Sequence, residues 1–354
     1  MAPIEETMAG RPPGGTVLVA RLDSVGDVLL AGPAVRAAAA GADRVVLLAG
    51  PRGRGAAELL PGVDRVLAWC APWIDPEPPP ATEAAVAALR AAVAAEAPRS
   101  ALVLTSYHQS ALPLALVLRM AGVPWIGAVS EDYPGSLLDL RHRRRTDLPE
   151  PESMLGLAQA AGFRLPPGDD GRLAVRGPLP DTTGLTGPGG YVVVHPGASV
   201  PSRAVPAWLA ADTVAKLAAE GHRVVVTGRP ADRDLTAAVA GGSAVDLAGR
   251  TDLAALASVL RGAAVVVSGN TGPAHLAAAV GTPVVSLFSP VVPARNWAPY
   301  RTPHRLLGDQ QAPCRATRAR VCPVPGHPCL NSLGADDVVA AVHDLIEEGG
   351  GPGA

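Results

Sequence analysis

A cluster of polar residues and glycines separates an apolar strand from an apolar helix in SGNTGPAHLAAAVGTPVVSLF, residues 268–288. Glycines permit a tight turn there, and a proline suits the first turn of the helix. The main-chain N–H groups of Thr271 and Gly272 would then point at an anion, which the helix dipole stabilises. A diphosphate fits this corner, with the Thr271 hydroxyl and the His275 imidazole as further donors. Helix capping by Asn270 or Thr271 is the alternative, but capping explains one polar residue and not the whole cluster.

A second polar cluster follows an apolar run in VVVHPGASVPSRAVP, residues 192–206. Arg203 has a permanent positive charge and forked donors, which suit the diphosphate of a leaving group. A solvated surface arginine is the alternative for this residue taken alone. The candidate ligand-binding residues of the segment are His195, Gly197, Ser199, Ser202 and Arg203.

A third cluster lies near the N-terminus, where the strand in VLVARLDSVGDVLLAGP, residues 17–33, gives way to a helix. Ser24 and Gly26 lie in this turn. Either Asp23 or Asp27 could simply cap the helix, and we expect Asp23 to do so. Asp27 stands at the helix start, where its carboxylate could accept a proton from a substrate hydroxyl.

Strand-like apolar runs alternate with helix-like runs along the whole chain. Continuous apolar strands separated by helices predict parallel sheets covered on both faces, and ligands of such sheets bind where strand carboxyl ends meet helix N-termini. The turn-rich stretch RGPLPDTTGLTGPGG, residues 176–190, predicts a linker between two Rossmann-like α/β domains that face a cleft. The predicted divisions are a flexible N-terminus (1–15), an N-terminal domain (16–178), a linker (179–190), a C-terminal domain (191–335) and a final helix and tail (336–354).

Composition excludes several classes of protein. The 354 residues are 48 % hydrophobic and 18 % charged, which indicates a well-buried globular protein and argues against disorder. The formal net charge of −2 gives no electrostatic reason to expect nucleic acid as a partner. The N-terminal segment does not resemble a signal peptide, and no apolar run is long enough to span a bilayer. A cytoplasmic protein is therefore expected, while peripheral contact with a membrane and the oligomeric state are left open.

Three of the four cysteines, Cys314, Cys322 and Cys329, lie near His327 in CRATRARVCPVPGHPC. Their spacings are wider than the C-x-x-C pairs of structural zinc sites. Reduced thiols in a cytoplasmic chain are the favoured interpretation, and a metal site is the alternative. We predict no metal site and no cofactor.

Five segments together resemble glycosyltransferase family 9, the ADP-heptose:lipopolysaccharide heptosyltransferase family. They are RLDSVGDVLLAGPAVRA, HPGASVPSRAVP, VVVTGRPADRDL, DLAGRTDLAALASVL and SGNTGPAHLAAAVGTPVVSLF. Each is weak evidence alone, but the five follow the family's order and spacing. The resemblance implies the two-domain GT-B fold.

The resemblance also implies an inverting, metal-independent transfer of a heptose or related sugar from a nucleotide diphosphate, expected to be ADP. The acceptor would be a hydroxyl of a glycan, a lipid-linked glycan or a small molecule. Asp27 occupies the family's catalytic-base position after S-x-G-D, and Arg203 occupies the basic position at the donor phosphates. Further donor-side positions implied by the resemblance are Gly228, Asp232 or Asp234, Asn270, Thr271, Gly272 and His275.

Two residues depart from the family pattern. Asn270 stands where an aspartate usually opens the D-T-G signature, and Val205 stands where a tryptophan commonly precedes the proline. Asn270 keeps a hydrogen-bonding side chain but lacks the charge. This departure affects the expectation for the donor more than the expectation for the fold.

The resemblance implies that the C-terminal domain binds the nucleotide sugar and that the acceptor lies on the N-terminal domain, beside Ser24 and Gly26. Tyr107 and His108 follow a strand in SYHQS and therefore face the predicted cleft. The arginine run in DLRHRRRTD, which includes Arg141, could hold an acidic or phosphorylated acceptor, although charge runs are more often solvated surfaces.

Three other functions match parts of the sequence. A nicotinamide oxidoreductase has similar sheets, but the nearest dinucleotide fingerprint, GRGAAE at 53–58, is poor. A GT-B-type nucleotide-sugar epimerase would use the same donor without an acceptor. A non-catalytic nucleotide-sugar-binding protein is favoured slightly by Asn270, whereas Asp27, Arg203 and His275 argue against it.

Overall fold

The computed structural model describes residues 14–107 and 109–349. Most of the predicted flexible N-terminus, the predicted site residue His108 and the last five residues lie outside this range. Contacts between residues divide the chain into two compact units, one ending at Arg176 and the other beginning at Gly177.

The first unit is an α/β sandwich around one parallel sheet. Its strands are β1 (Thr16–Arg21), β2 (Arg44–Ala49), β3 (Arg65–Ala68), β4 (Ser100–Val103), β5 (Ile126–Val129) and β6 (Leu140–His142). Its helices are α1 (Val25–Leu30), α2 (Gly32–Gly41), α3 (Arg54–Leu59), α4 (Glu83–Glu96), α5 (Leu112–Met120) and α6 (Glu150–Ala160). All strand pairs are parallel, in the order β3-β2-β1-β4-β5-β6.

The single helix predicted to follow the first strand is divided into α1 and α2. Pro33, in the first turn of α2, lacks an N–H group and cannot donate to the carbonyl four residues earlier. Strand β1 is buried from its second residue onward, because β2 and β4 flank it and helices cover the sheet.

The second unit repeats this architecture. Its strands are β7 (Tyr191–His195), β8 (Val224–Val226), β9 (Val245–Asp246), β10 (Ala263–Gly269), β11 (Val284–Leu287) and β12 (His304–Leu307). Its helices are α7 (Thr183–Thr186), α8 (Ala207–Ala219), α9 (Arg233–Ala240), α10 (Leu253–Gly262), α11 (Gly272–Ala279), α12 (Ala294–Trp297), α13 (Pro328–Asn331) and α14 (Ala335–Gly349). The parallel order is β12-β11-β10-β7-β8-β9.

Both sheets have a topological switch point, where the strand order reverses. In the first unit β1 pairs with β4, and in the second β7 pairs with β10. Loops that leave these adjacent strands diverge to opposite sides and open a crevice at the carboxyl ends, which is where ligands of such sheets bind. The three polar clusters of the sequence follow β1, β7 and β10.

The last helix belongs to the core of the second unit. Val338, Val342 and Leu345 of α14 pack with Val214 and Leu217 of α8 in one buried apolar cluster. Within the described ranges, no helix combines the length and the apolar character needed to cross a membrane.

Candidate functional site

Asp27 lies in the first turn of α1, and both oxygens of its carboxylate accept a hydrogen bond. Ser24, the N-cap residue, donates its hydroxyl to Asp27 Oδ2 at 2.7 Å. Arg21 donates from NH2 to Oδ1 at 3.2 Å. Gly26 is buried beside them, whereas the Asp27 side chain is 25 % exposed. The carboxylate is therefore held in one orientation and is still accessible to a substrate.

Asp23 does not cap the helix, so this prediction was wrong. Its carboxylate is buried and pairs with Arg21 NH2 at 2.8 Å, and it also accepts from the Gln109 amide. Burial raises the pKa of Asp23 to about 6, and the carboxylates of Asp27 and Glu150 add to this rise. A buried guanidinium is a stronger partner for Asp23 than the main-chain N–H groups of α1.

Arg21 is the centre of this charged cluster and is fully buried. Its NH1 lies 3.9 Å from Glu150 Oε2, and Glu150 pairs in turn with Arg144 at 2.5 Å. Burial alone would lower the pKa of Arg21, but Asp23, Asp27 and Glu150 raise it on balance. Sequence reasoning missed Arg21, Glu150 and Arg144. A charged residue at the end of the otherwise apolar β1 was the available signal.

In the arginine run at the end of β6, the residue that contacts the charged cluster is Arg144 and not the predicted Arg141. The Arg144 guanidinium lies 4.6 Å from the centre of the Tyr107 ring, and it also donates to the Thr105 carbonyl. Its burial lowers its pKa, although Glu150 opposes this shift. Arg141 instead donates to main-chain carbonyls after β5, at 3.2 Å for Ser130. Tyr107 therefore lies in the Asp27 corner, while Arg141 holds a loop.

In the second unit, the corner after β10 differs from simple helix capping. Thr271 occupies the N-cap position of α11, but its side chain makes no capping bond. Its hydroxyl lies 3.3 Å from Ser268 Oγ. The Thr271 N–H donates to the Gly269 carbonyl at 2.8 Å, so the expectation that this amide faces an anion was wrong. Gly272 N–H at the helix start, the Thr271 hydroxyl and the buried His275 are the remaining predicted donors.

Asn270 has a specific structural role. Its Oδ1 accepts from the Ser289 N–H, and its Nδ2 donates to the Ser289 carbonyl, both at 3.2 Å. Both residues are buried. An aspartate could accept the first bond but would place a carboxylate oxygen against the carbonyl. The asparagine at position 270, where the family usually has aspartate, can therefore pair with both the N–H and the carbonyl of Ser289, which a carboxylate cannot do.

The corner after β7 contains one predicted residue with a strongly shifted pKa. His195 ends β7, and its Nδ1 lies 2.9 Å from Thr227 Oγ1. Burial lowers the pKa of His195 to about 4, so its imidazole is neutral at neutral pH. Arg203 is half-buried at the end of a 3₁₀ turn, and Ser199 is exposed.

Ser202 uses its hydroxyl and its main-chain N–H in hydrogen bonds within the protein. Its hydroxyl donates to the Ala319 carbonyl at 2.5 Å, and its N–H donates to the Arg320 carbonyl at 3.0 Å. The structure therefore gives Ser202 the role of anchoring the loop that carries Arg203, in place of the predicted donor contact.

The corner after β8 contains an ion pair that sequence reasoning missed. Arg229 donates from Nε and NH2 to the two oxygens of Asp232, each at 2.9 Å. These hydrogen bonds lower the pKa of Asp232. Asp232 is buried, whereas Asp234 is exposed in the first turn of α9.

Two glycines let the three corners of the second unit approach each other. A Cβ at Gly269 would lie 2.4 Å from the Arg203 carbonyl oxygen, and a Cβ at Gly197 would lie 2.9 Å from Asp232 Oδ2. Any larger residue would displace the neighbouring loop. Gly228, also predicted, packs on α9, where a Cβ would lie 2.7 Å from Thr236 Cγ2. The predicted donor residues thus gather at one edge of the sheet.

The cysteine segment packs under this edge. Cys314 and Cys329 are buried, and burial raises the pKa of Cys329 to about 11. The Cys322 thiol donates to the Val324 carbonyl at 3.3 Å. The buried thiol of Cys329 is therefore neutral at ordinary pH.

Comparisons with known proteins agree on the fold and the family. Among solved structures, the chain is similar to ADP-heptose lipopolysaccharide heptosyltransferase II of E. coli, with 18% identity and a TM-score of 0.71 over 94% of this chain and 99% of that chain. It is similar to a family 9 glycosyl transferase of Veillonella parvula, with 16% identity and a TM-score of 0.74 over 94% and 97%. It is also similar to E. coli heptosyltransferase WaaC with ADP-2-deoxy-2-fluoro heptose, with 21% identity and a TM-score of 0.68 over 94% and 99%.

These likenesses confirm the GT-B fold. A search of curated proteins gave no match. The sequence profile of glycosyltransferase family 9 (heptosyltransferase) matches residues 101–327, which is more than half of the chain. The chain belongs to glycosyltransferase family 9 and is a glycosyltransferase.

Proposed function

We propose that the enzyme transfers a heptose or related sugar from an ADP-linked donor to a hydroxyl of a glycan or small-molecule acceptor. The transfer inverts the anomeric centre and uses no metal. The observation that carries this proposal is the position of Asp27 at the switch point of the first sheet, held by Ser24 and Arg21. The similarity to heptosyltransferases, one of them holding an ADP-linked fluoro heptose, supports the choice of donor.

Asp27 acts as the general base in this proposal. It accepts the proton of the acceptor hydroxyl as that oxygen attacks the anomeric carbon, on the face opposite the leaving diphosphate. The transition state resembles an oxocarbenium ion, as in glycoside hydrolysis. A second catalytic carboxylate is unnecessary, because a diphosphate leaves without protonation.

The donor corner stabilises the negative charge that develops on the departing diphosphate. Arg203 supplies a permanent charge, and Gly272 N–H, the Thr271 hydroxyl and His275 supply further donors. Donors fixed in position before the reaction cost no reorganisation when the charge appears, which makes this stabilisation effective.

A thermal-shift screen with ADP-, GDP-, UDP- and dTDP-sugars tests the choice of donor. Specific binding to the folded state raises the melting temperature by mass action, so the ADP-sugar should stand out. Turnover is then measured with and without an acceptor, and with the protein treated with a chelator. Stabilisation by another nucleotide sugar would overturn the ADP assignment, and conversion of the donor without an acceptor would indicate an epimerase.

A further inference from the structure

Two histidines and a glutamate of the second unit lie close together near the amino ends of the strands, whereas the donor residues lie at the carboxyl ends. Glu220 directly follows α8, His222 precedes β8, and His343 lies on α14. One ligand atom from each side chain lies within 4.8 Å of the other two. The donor residues follow the carboxyl ends of the strands, whereas His222 lies at an amino end. The cluster is therefore separate from the proposed reaction.

The distances within this cluster match those around a bound metal ion. His222 Nε2 lies 3.3 Å from His343 Nε2, and His343 Nε2 lies 3.0 Å from Glu220 Oε2. In a tetrahedral zinc site with bonds of about 2.0–2.1 Å, neighbouring ligand atoms are about 3.3–3.4 Å apart. Two of the three distances are thus close to the required spacing, and the third, between Glu220 and His222, is at most 4.8 Å.

The main chain fixes two of the ligands relative to each other. Helix α8 ends in a Schellman motif, in which His222 N–H donates to the Leu217 carbonyl and Gly221 N–H donates to the Ala218 carbonyl, both at 3.0 Å. Gly221 has a φ of +89°, which reverses the chain and brings His222 back beside Glu220.

The third ligand is fixed by the core. His343 follows the buried Val342 on α14, the helix that packs on α8. Lys216, the single lysine of the sequence, lies one turn before Glu220 and pairs with Asp336. The Glu220 carboxylate contacts His343 Nε2.

We propose that Glu220, His222 and His343 bind a divalent transition-metal ion such as zinc. Two imidazole nitrogens and one carboxylate oxygen suit zinc, nickel or copper, whereas magnesium and calcium prefer oxygen ligands. The bound ion links α14 to the end of α8. It stabilises the second unit and takes no part in sugar transfer.

Zinc binding is tested on the full-length protein, without a polyhistidine tag and after chelator treatment. ZnCl2 is titrated while the side-chain nitrogen resonances of the histidines are followed by NMR, with MgCl2 in a parallel titration. This readout is needed because the thiols of Cys314, Cys322 and Cys329 are a separate group that could take up zinc. We expect the Nε2 resonances of His222 and His343 to shift with zinc and not with magnesium.

The variants His222→Ala and His343→Ala are each expected to weaken zinc affinity at this site at least about tenfold, because each removes one ligand. The matched control is His304→Ala, a histidine of β12 whose Nδ1 contacts the Thr302 carbonyl at 2.9 Å, and it should bind zinc as the native chain does. Far-UV circular dichroism checks that each variant is folded. Unshifted His222 and His343 resonances, or native affinity in both single variants, would overturn the proposal.

Discussion

Arg21 donates from NH2 to the Asp27 carboxylate across 3.2 Å, from a fully buried position to a side chain that is 25 % exposed. The proposed base therefore lies at the boundary between a buried charged cluster and the solvent. Ser24 holds the other carboxylate oxygen. A general base must come within hydrogen-bond reach of the proton that it accepts, and a fixed, accessible carboxylate meets this condition.

Asp27→Asn should lower kcat by about 10²–10⁴-fold, because the amide cannot accept the acceptor proton. Donor affinity should change little, since the predicted phosphate contacts lie in the second unit. Steady-state kinetics and calorimetric donor titration measure the two effects. Ser24→Ala is the comparison: it keeps the carboxylate and removes only one of its two hydrogen-bond donors, so kcat should fall less than in Asp27→Asn. Native turnover in Asp27→Asn would remove Asp27 from the mechanism.

Arg21→Leu should lower the free energy of unfolding by about 3–5 kcal/mol, because it leaves the buried Asp23 and Glu150 without their shared cation. Urea denaturation measures the change. Arg54→Ala is the comparison, because Arg54 and Glu58 form an exposed pair at 2.7 Å with side chains 63% and 50% exposed. That variant should cost less than about 1 kcal/mol. An equal loss of unfolding free energy in the two variants would show that the buried cluster contributes no more to stability than an exposed ion pair.

Asn270→Asp should destabilise the second unit by about 1–3 kcal/mol, because the buried carboxylate would meet the Ser289 carbonyl without a donor. Ser289→Ala keeps both main-chain partners of Asn270, so it should lower the free energy of unfolding by less. Chemical denaturation of the two variants gives the comparison. A stable Asn270→Asp protein would mean that the amide pairing is dispensable.

Gly269→Ala should weaken donor binding about tenfold, a loss of about 1.4 kcal/mol, because the new Cβ would displace the Arg203 loop. The structure leaves it only 2.4 Å from the Arg203 carbonyl oxygen. Gly184→Ala is a suitable control, since no atom lies within 4 Å of a Cβ at that exposed position. Calorimetric titration with the donor identified in the screen measures both. Native donor affinity in Gly269→Ala would show that donor binding does not depend on the position of the Arg203 loop.

His195 should make stability depend on pH. Its pKa is about 4 in the folded state and near 6.5 in the unfolded chain, so the unfolded state binds more protons between these values. The free energy of unfolding should therefore fall as pH drops from 6.5 to 4, by about 3 kcal/mol from this residue. Urea denaturation at several pH values compares the native chain with His195→Gln, which should lack this contribution. An identical pH dependence in both proteins would contradict the assignment.

The sequence predicts the sheets and the three corners because both depend on local patterns. Apolar runs such as TVLVAR mark buried strands, and Gly, Thr and Asp mark the turns that follow them. Pairing between distant segments leaves no such signal. Nothing in the spacing connects Arg21 with Glu150, or Asn270 with Ser289. The sequence places Asp23 at the helix cap because its local pattern does not show that Arg21 is buried beside it.

Each sheet draws all its strands from one uninterrupted half of the chain, with the division after Arg176. Recombination between genes at this single position would therefore exchange a whole half without cutting either core. If the first half selects the acceptor and the second the nucleotide sugar, evolution could vary the two specificities independently. Chimeras of related enzymes joined at this boundary offer the same freedom to protein engineering.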